Sequence, residues 1–258
     1  MTLYKNEIPI LEYDDEKLAV IMPTDEDYNV KLPTKCVFAF LGEETIEDFA
    51  KEHGAKKVTE FESVTKNYNL YQMTYQGHEV CFMHAPMGSV AAVQIMDWLI
   101  ALGVREIMSA GSCGSLINIP ENTFIVPFKA LRDEGASYHY LPPTRYVEVN
   151  RKALKAIERT LLDHGLNYTE VVTWTTDGFF KETRDIVKYR VEEGCSVVEM
   201  ECSGLAACAE FREVIWGQIL FTADSLADIE KHDKRNWGGD SFEYSLKLCL
   251  DAVVNIES

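Results

Sequence analysis

Positive charge is scarce in this 258-residue sequence, in which 25 Lys and Arg face 42 Asp and Glu for a formal net charge of −17. Proteins bind nucleic acid and anionic lipid through clustered Lys and Arg. We therefore expect neither nucleic acid nor a membrane as a partner. The same shortage favours a neutral small molecule over a nucleotide, whose phosphate needs a basic clamp of its own.

Long apolar runs and paired cysteine motifs are missing as well. No uncharged apolar stretch approaches the roughly 20 residues that cross a bilayer. The seven cysteines follow no regular spacing and lie mostly in apolar segments, as reduced core thiols do, so we expect a cytoplasmic protein. The six histidines are scattered and no Cys-x-x-Cys occurs, so the sequence implies neither a metal site nor an organic cofactor.

Glycine-rich nucleotide motifs are also absent: the chain has no dinucleotide fingerprint, no phosphate-binding loop with its Lys, and no Gly-x-Ser-x-Gly. Short β-rich apolar runs instead alternate with longer helical patterns, as where the run 36–41 passes through Gly42 into a helix. This alternation predicts an α/β fold with a largely parallel central sheet. We expect a single domain over residues 1–258, with residues 1–34 as an N-terminal extension.

Polar, non-helical residues accumulate where the predicted strands end. Ligands on parallel sheets bind beyond the carboxyl ends of the strands, so these positions are candidates for one site. They include Gly42, Glu43, Glu44, Met87, Gly88, Ser112, Phe179, Met200, Glu201 and Asp224. Two long irregular loops, 134–146 and 224–240, are predicted beside them.

The run Val198-Glu199-Met200-Glu201 puts two carboxylates two residues apart at the end of an apolar segment. Side chains at this spacing share one face of a strand, so both acids can point into one cavity. Ionised carboxylates accept hydrogen bonds from neighbouring sugar hydroxyls, and those bonds strengthen as positive charge builds on the ring in a glycosidic transition state. The alternative is a pair of exposed acids at a strand end.

Three segments in a fixed order carry a family resemblance. They are Gly111-Ser112-Cys113-Gly114, the run 198–201, and Thr222-Ala223-Asp224, in which Ala223 stands where the family has Ser. Together they resemble the nucleoside phosphorylase superfamily, which includes purine nucleoside phosphorylases, uridine phosphorylases and methylthioadenosine nucleosidases. The resemblance runs from Val37 to the last helix. It implies a three-layer α/β/α fold with a mixed, largely parallel sheet, and a homodimer or homohexamer.

The resemblance also implies roles for individual residues. Glu201 binds the ribose hydroxyls, with Met200, Met87 and Glu199 at the sugar. Phe179 stacks on the base, and Asp224 donates a proton to the departing base. Without the resemblance, an Asp at position 224 is better interpreted as a helix N-cap.

The phosphate site is where the chain departs from the phosphorylases of this superfamily. Ile46, Ser109 and Lys66 stand where those enzymes hold phosphate with arginine. Each lost charge-assisted partner costs about 1.5 to 3 kcal/mol, so phosphate binding is expected to be weak unless other residues replace them. Arg132, Arg184 and Arg235, or basic residues from a neighbouring subunit, are the possible substitutes.

Acidic residues occupy the corresponding loop instead. Glu43 and Glu44 follow Gly42 directly, which resembles the nucleosidase branch, where a Glu from this loop activates water. We therefore assign Glu44 a catalytic role and expect Gly42, Glu43, Lys66 and Ser112 to form the pocket for water or phosphate. The alternative is that both acids merely begin a helix, where its dipole favours them.

The expected activity is cleavage of the N-glycosidic bond of a nucleoside. Asp224 favours a purine-like base, whereas Glu182 and Arg184 roughly resemble the Gln and Arg with which uridine phosphorylases bind uracil. The acidic loop favours hydrolysis by a nucleosidase. The alternatives are a phosphate-dependent phosphorylase of purine nucleosides or uridine, and a nucleoside sensor without catalysis.

Overall fold

A ten-stranded mixed sheet forms the centre of the structure, a computed structural model that describes residues 3–25 and 30–257. The strands are β1 (Lys35–Ala39), β2 (Lys56–Glu62), β3 (Asn67–Tyr75), β4 (His78–His84), β5 (Glu106–Ser115), β6 (Phe124–Asp133), β7 (Tyr146–Glu148), β8 (Tyr168–Thr176), β9 (Cys195–Glu199) and β10 (Ile215–Ser225). The helices are α1 (Glu43–Glu52), α2 (Ser89–Ala101), α3 (Arg151–Asp163), α4 (Arg184–Glu192), α5 (Cys202–Arg212) and α6 (Phe242–Val254). The predicted α/β fold class is confirmed.

The sheet combines an open half and a closed half. Strands β2, β3, β4, β1 and β5 lie side by side, and β1 runs parallel to both of its neighbours. Strands β5, β9, β8, β6 and β10 form a ring, because β10 pairs with β6 and also with β5. The parallel pairs β4–β1, β1–β5 and β5–β10 bring four carboxyl ends to one edge of the sheet.

Helices cover both faces and bury the strands between them. The apolar faces of α2 and α5 close one core, which contains Trp98, Leu99 and Leu205. On the other face α1, α3 and α6 close a second core around Ile157 and Leu250. Burial on both sides explains why the central strands are continuous apolar runs in the sequence.

Local signals in the sequence account for several element boundaries. The dipeptide Gln76-Gly77 is a hairpin turn signal in the sequence, and it joins β3 to β4. Both residues have positive φ values, 48° and 81°, as a tight hairpin turn requires. Helix α3 begins after Asn150, whose side-chain oxygen accepts a hydrogen bond from the backbone N–H of Lys152 at 2.9 Å.

The structure differs from the sequence patterns in two places. The glycines of the segment Gly111–Gly114 predict a turn that follows a strand, but the segment lies inside β5, which continues to Ser115. A Cβ on Gly111 would lie 3.3 Å from Phe40 Cβ, which is a tight contact, so a larger residue there would require Phe40 to shift. Strands β2 and β7 were not predicted at all, because β2 contains no fully buried residue and β7 has only three residues.

Within the described part of the chain, no helix is long and apolar enough to cross a membrane. The segment ahead of β1 contains one short 3-10 turn, Pro9–Leu11. It is attached to α5, since the guanidinium of Arg212 donates a hydrogen bond to the carbonyl oxygen of Lys17 at 3.0 Å.

Candidate active site

A cavity of about 800 Å³ opens at the carboxyl ends of the central strands, and we call it the strand-end cavity. Eight of the thirteen residues assigned to the site from the sequence line it, although they come from five separate segments. These eight are Met87, Ser112, Phe179, Glu182, Glu199, Met200, Glu201 and Asp224. Folding therefore brings the predicted sugar, base and proton-donor residues to one place.

Glu201 lies at the start of α5 and is only 7% exposed. Its Oε1 accepts a hydrogen bond from the backbone N–H of Gly88 at 2.6 Å, which ties it to the turn after β4. Burial, followed by the charge of Glu199, raises the pKa of Glu201 to about 8. A carboxyl group offers more acceptor positions than this one bond uses, so Glu201 can still bind a ligand hydroxyl.

Glu199 has a different position from the one predicted. Strand β9 ends at Glu199 and Glu201 belongs to the helix start, so the two acids do not share a strand face as predicted. Glu199 Oε1 accepts hydrogen bonds from the hydroxyls of Thr173 and Thr175, and its Oε2 accepts from the N–H groups of Glu201 and Cys202. Burial raises the pKa of Glu199. Its four acceptor positions are thus occupied by the protein, and it holds the β9–α5 junction.

Asp224 lies in β10 with 6% exposure, so the alternative of a helix N-cap is excluded. Its Oδ2 lies 2.8 Å from Nε2 of His232, which comes from the following loop. Nearby, burial followed by the charge of Asp224 raises the pKa of Glu182 to about 7. Sequence analysis did not identify His232, because nothing in its spacing from Asp224 marks it as a partner.

Aromatic side chains form the wall next to Asp224. Phe179 and Phe180 are in edge-to-face contact with ring centroids 4.9 Å apart, and Phe179 is 42% exposed. Trp237, another residue that sequence analysis missed, also lines the strand-end cavity. A second hollow of about 540 Å³ adjoins this wall, and Arg184 lies there and not in the strand-end cavity. Base-sized apolar surfaces are therefore available beside the proposed proton donor.

Four residues assigned to the nucleophile pocket do not line the cavity: Gly42, Glu43, Glu44 and Lys66. Glu44 is an exposed residue in the first turn of α1, and Glu43 forms an ion pair with Lys66 at 2.5 Å. The cavity wall at this end is formed by Phe40, Leu41 and His84, together with Ser112. Glu43 and Glu44 therefore lie at the start of a helix and outside the cavity wall, as the alternative interpretation of these two acids predicts.

The strand-end cavity is strongly acidic. Among its described lining residues Lys181 is the single Lys or Arg, against the five carboxyl groups of Asp177, Glu182, Glu199, Glu201 and Asp224. The positions of the missing arginines are occupied otherwise: Ile46 is buried in the core, and the Ser109 hydroxyl accepts a hydrogen bond from Trp216 Nε1 at 3.0 Å.

The three arginines considered as substitutes are engaged elsewhere. The Arg132 guanidinium donates to Ser137, Thr144 and two backbone carbonyls. Arg184 binds the carbonyl of Ile229 and the carboxylate of Glu230, and Arg235 donates to the carbonyl of Ile119. None of the three lines the strand-end cavity. Across residues 3–25 and 30–257, no group of three or more His, Cys, Asp or Glu side chains is arranged to hold a metal ion.

Comparison with known proteins gives a consistent result. The family model described as the phosphorylase superfamily matches residues 34–254. The chain is 24% identical over 184 residues to a DeoD-type purine nucleoside phosphorylase of Bacillus cereus, a match that covers 70% of this chain and 78% of the relative.

Two solved structures share the fold. Purine nucleoside phosphorylase from Toxoplasma gondii, in complex with immucillin-H, matches with a TM-score of 0.73 and 19% identity over 87% of this chain and 92% of its own. AMP nucleosidase from Bacteroides thetaiotaomicron matches with a TM-score of 0.70 and 23% identity over 86% and 88%. The fold is thus shared by a phosphate-using and a hydrolytic enzyme.

Proposed function

The chain belongs to the phosphorylase superfamily, and on that premise we propose that it is an enzyme that hydrolyses the N-glycosidic bond of a purine-like nucleoside. The observation that carries the choice of water over phosphate is the shortage of cations in the strand-end cavity. Lys181 is the single Lys or Arg among its described lining residues, beside five carboxyl groups. A phosphate dianion in this cavity lacks the cationic clamp that usually holds it.

Departure of the base requires a proton donor, and Asp224 is the candidate. In its protonated form the carboxyl group delivers a proton to a ring nitrogen as the glycosidic bond breaks. His232, 2.8 Å away, fixes the orientation of the carboxyl group. Phe179, which lies on the same side of the cavity, provides a face on which a base can stack.

The sugar is assigned to Glu201, Met200 and Met87. Glu201 is fixed by its bond to the Gly88 N–H and accepts hydrogen bonds from the ribose hydroxyls. These bonds strengthen as the ribose ring acquires positive charge, so they stabilise the transition state more than the ground state. Glu199 keeps Glu201 in position, because it accepts hydrogen bonds from the N–H groups at the start of α5.

Purine-like bases are favoured for two reasons. Asp224 suits a base that has a protonatable ring nitrogen, and the relatives named above are enzymes of purine nucleosides or of AMP. Glu182, whose pKa is about 7, is partly protonated near neutral pH and can donate to or accept from the edge of the base. The single lysine in the cavity favours a neutral nucleoside over a nucleotide.

Phosphorolysis is the second candidate, because the Bacillus cereus relative is a purine nucleoside phosphorylase. It requires cations that the described cavity wall does not supply, such as basic residues from a second copy of the chain. We expect a homodimer or homohexamer on the strength of the resemblance, so a shared site of this kind is the specific alternative to hydrolysis.

Incubation of the purified full chain with adenosine, guanosine, inosine and uridine tests the activity. Each reaction is run with and without inorganic phosphate, and free base and sugar products are measured. Release of base and free ribose without phosphate supports the proposal. Ribose 1-phosphate formed only with phosphate identifies a phosphorylase, and saturable binding without release identifies a sensor.

A further inference from the structure

His84 is a titratable residue of the strand-end cavity to which no role has been assigned so far. It is the last residue of β4, where it pairs in register with Ala39 of β1, and it lines the cavity beside Phe40 and Leu41. Its Nδ1 is buried and has no hydrogen-bond partner among the residues that the structure describes. A polar atom left in this state within a cavity wall is available to a bound ligand or water.

The position of His84 is opposite that of Asp224. The strands that carry them are separated by β1 and β5, in the order β4, β1, β5, β10. Three inter-strand steps correspond to about 14 Å between the two backbones. Side chains that extend from both strands leave room for a sugar between them, with the base at Asp224 and the other face of the sugar towards His84.

The position of Glu201 also favours a sugar whose face opposite the base is turned towards His84. Its Oε1 is bound to the N–H of Gly88, four residues after His84, so the residue assigned to the ribose hydroxyls lies at the β4 end of the cavity. A water molecule that attacks the sugar from the side opposite the base then approaches from His84.

The surroundings of His84 favour the neutral imidazole. Its ring stacks on Tyr68 with centroids 5.8 Å apart, and Lys66 Nζ lies 5.2 Å from the centroid of the same tyrosine. Burial and the charge of Lys66 lower the pKa of His84, while the nearby Glu43 acts in the opposite direction. A neutral imidazole has a free lone pair that can accept a proton.

We propose that His84 is the catalytic base that deprotonates the attacking water, the role assigned from the sequence to Glu44. This inference rests on the proposed hydrolysis. The water oxygen bonds to C1′, the C1′–N bond breaks with its electron pair going to the base, and Asp224 protonates the base. His84 takes one proton of the water, and solvent then returns a proton to Asp224 and removes one from His84.

The test compares His84→Gln with His78→Gln in the full-length protein. His78 is an exposed residue at the other end of the same strand, so it provides a matched control. With the nucleoside that the wild-type protein cleaves fastest, we expect kcat of His84→Gln to fall about 100-fold or more. KM should stay within about threefold, and His78→Gln should match the wild-type protein.

The pH dependence provides a readout that a merely structural role would not change. In the wild-type protein kcat should fall at acidic pH, on the low side of the ordinary histidine pKa of about 6.5, because the imidazole becomes protonated there. His84→Gln should lose this acidic limb. Glu182 and Glu201, with pKa values of about 7 and about 8, lose protons on the alkaline side. Glu43 and Lys66 form an ion pair with each other next to Tyr68.

A His84→Gln variant with wild-type kcat, or one whose defect is confined to KM, overturns the assignment. If the variant does not fold, a wild-type kcat that stays constant down to about pH 5 overturns it as well. Failure of the proposed function has a different signature. In that case the wild-type protein itself releases no base, or releases it only with phosphate, and the inference falls with the hydrolysis on which it rests.

Discussion

Asp224 and His232 form the pair of residues on which departure of the base depends in this account. Asp224 is almost fully buried, and its Oδ2 lies 2.8 Å from His232 Nε2. Position 224 could be identified from the sequence because it belongs to a recognisable motif at the end of an apolar run. His232 could not, because it comes from an irregular loop and meets Asp224 only through the path of that loop. Trp237 was missed for the same reason. His84 was missed because the sequence places it at the end of an apolar run but does not show that it lines the cavity.

Asp224→Asn tests the proton donor. The amide keeps the shape of the side chain but cannot deliver the proton, so we expect kcat to fall about 100-fold or more, with KM changed much less. Steady-state kinetics of base release provide the measurement. Asp240→Asn, a substitution of an exposed residue in the same loop region, should leave kcat unchanged. Full turnover by Asp224→Asn would show that another group protonates the base.

Glu201 is expected to make stability depend on pH. Its pKa of about 8 in the folded protein lies above the ordinary value of 4.5, so the folded state binds the proton more tightly than the unfolded state. This contribution to stability is fully present below pH 4.5 and is lost as the pH rises towards 8, at about 1.4 kcal/mol per unit of pKa difference. Glu182 acts with the same sign.

Urea unfolding at pH 5 and pH 8 measures this effect. Glu201→Gln mimics the neutral carboxyl group, so the variant should lose less unfolding free energy between the two pH values than the wild-type protein does. Equal losses in the two proteins would indicate that Glu201 is already ionised in the folded state. At pH 8 and above, where the wild-type protein has the carboxylate, the same variant should cleave nucleosides poorly, because Gln binds ribose hydroxyls more weakly than a carboxylate.

At the scale of elements, the β9–α5 junction fixes the position of Glu201, the acid assigned to the sugar. Glu199 accepts hydrogen bonds from two threonine hydroxyls and from the two N–H groups that begin α5. The sequence correctly predicted a pair of acids at a strand end beside a ligand site. It could not separate their roles, because that depends on the strand ending at Glu199 and the helix beginning directly after it.

Glu199→Gln tests the junction. The amide nitrogen cannot accept hydrogen bonds, so two buried donors lose their acceptor, and we expect the unfolding free energy to fall by about 1 to 3 kcal/mol. Chemical denaturation measures this loss. Glu148→Gln, a substitution of an exposed residue on β7, is the control and should be neutral. An unchanged stability of Glu199→Gln would mean that the junction is held by other contacts.

On the scale of the whole molecule, the order of strands and helices predicted the α/β class, because apolar runs and helical patterns reflect burial along the chain. Closure of the ring β5, β9, β8, β6, β10 could not be predicted in the same way. It depends on β5 pairing with β9 and on β10 pairing with both β5 and β6, which are contacts between distant segments. The position of the strand-end cavity follows from that closure.

Acidic residues outnumber basic ones both in the whole chain, which has a net charge of −17, and in the lining of the strand-end cavity. Overall charge alone gives no location for a site, since surface acids are screened by solvent and salt. The five carboxyl groups of the cavity are collected from β8, α4, β9, α5 and β10 or from the segments beside them. The choice between water and phosphate as the acceptor of the sugar therefore depends on the folded molecule. That water is the acceptor is the central claim of this account.

Cleavage of a purine nucleoside in ¹⁸O-labelled water, with and without inorganic phosphate, tests that claim most directly. The expected result is free ribose with ¹⁸O at C1 and a rate that does not change when phosphate is added, because water is the acceptor in both reactions. Formation of ribose 1-phosphate without the label, at a rate that rises with phosphate concentration, would contradict the account.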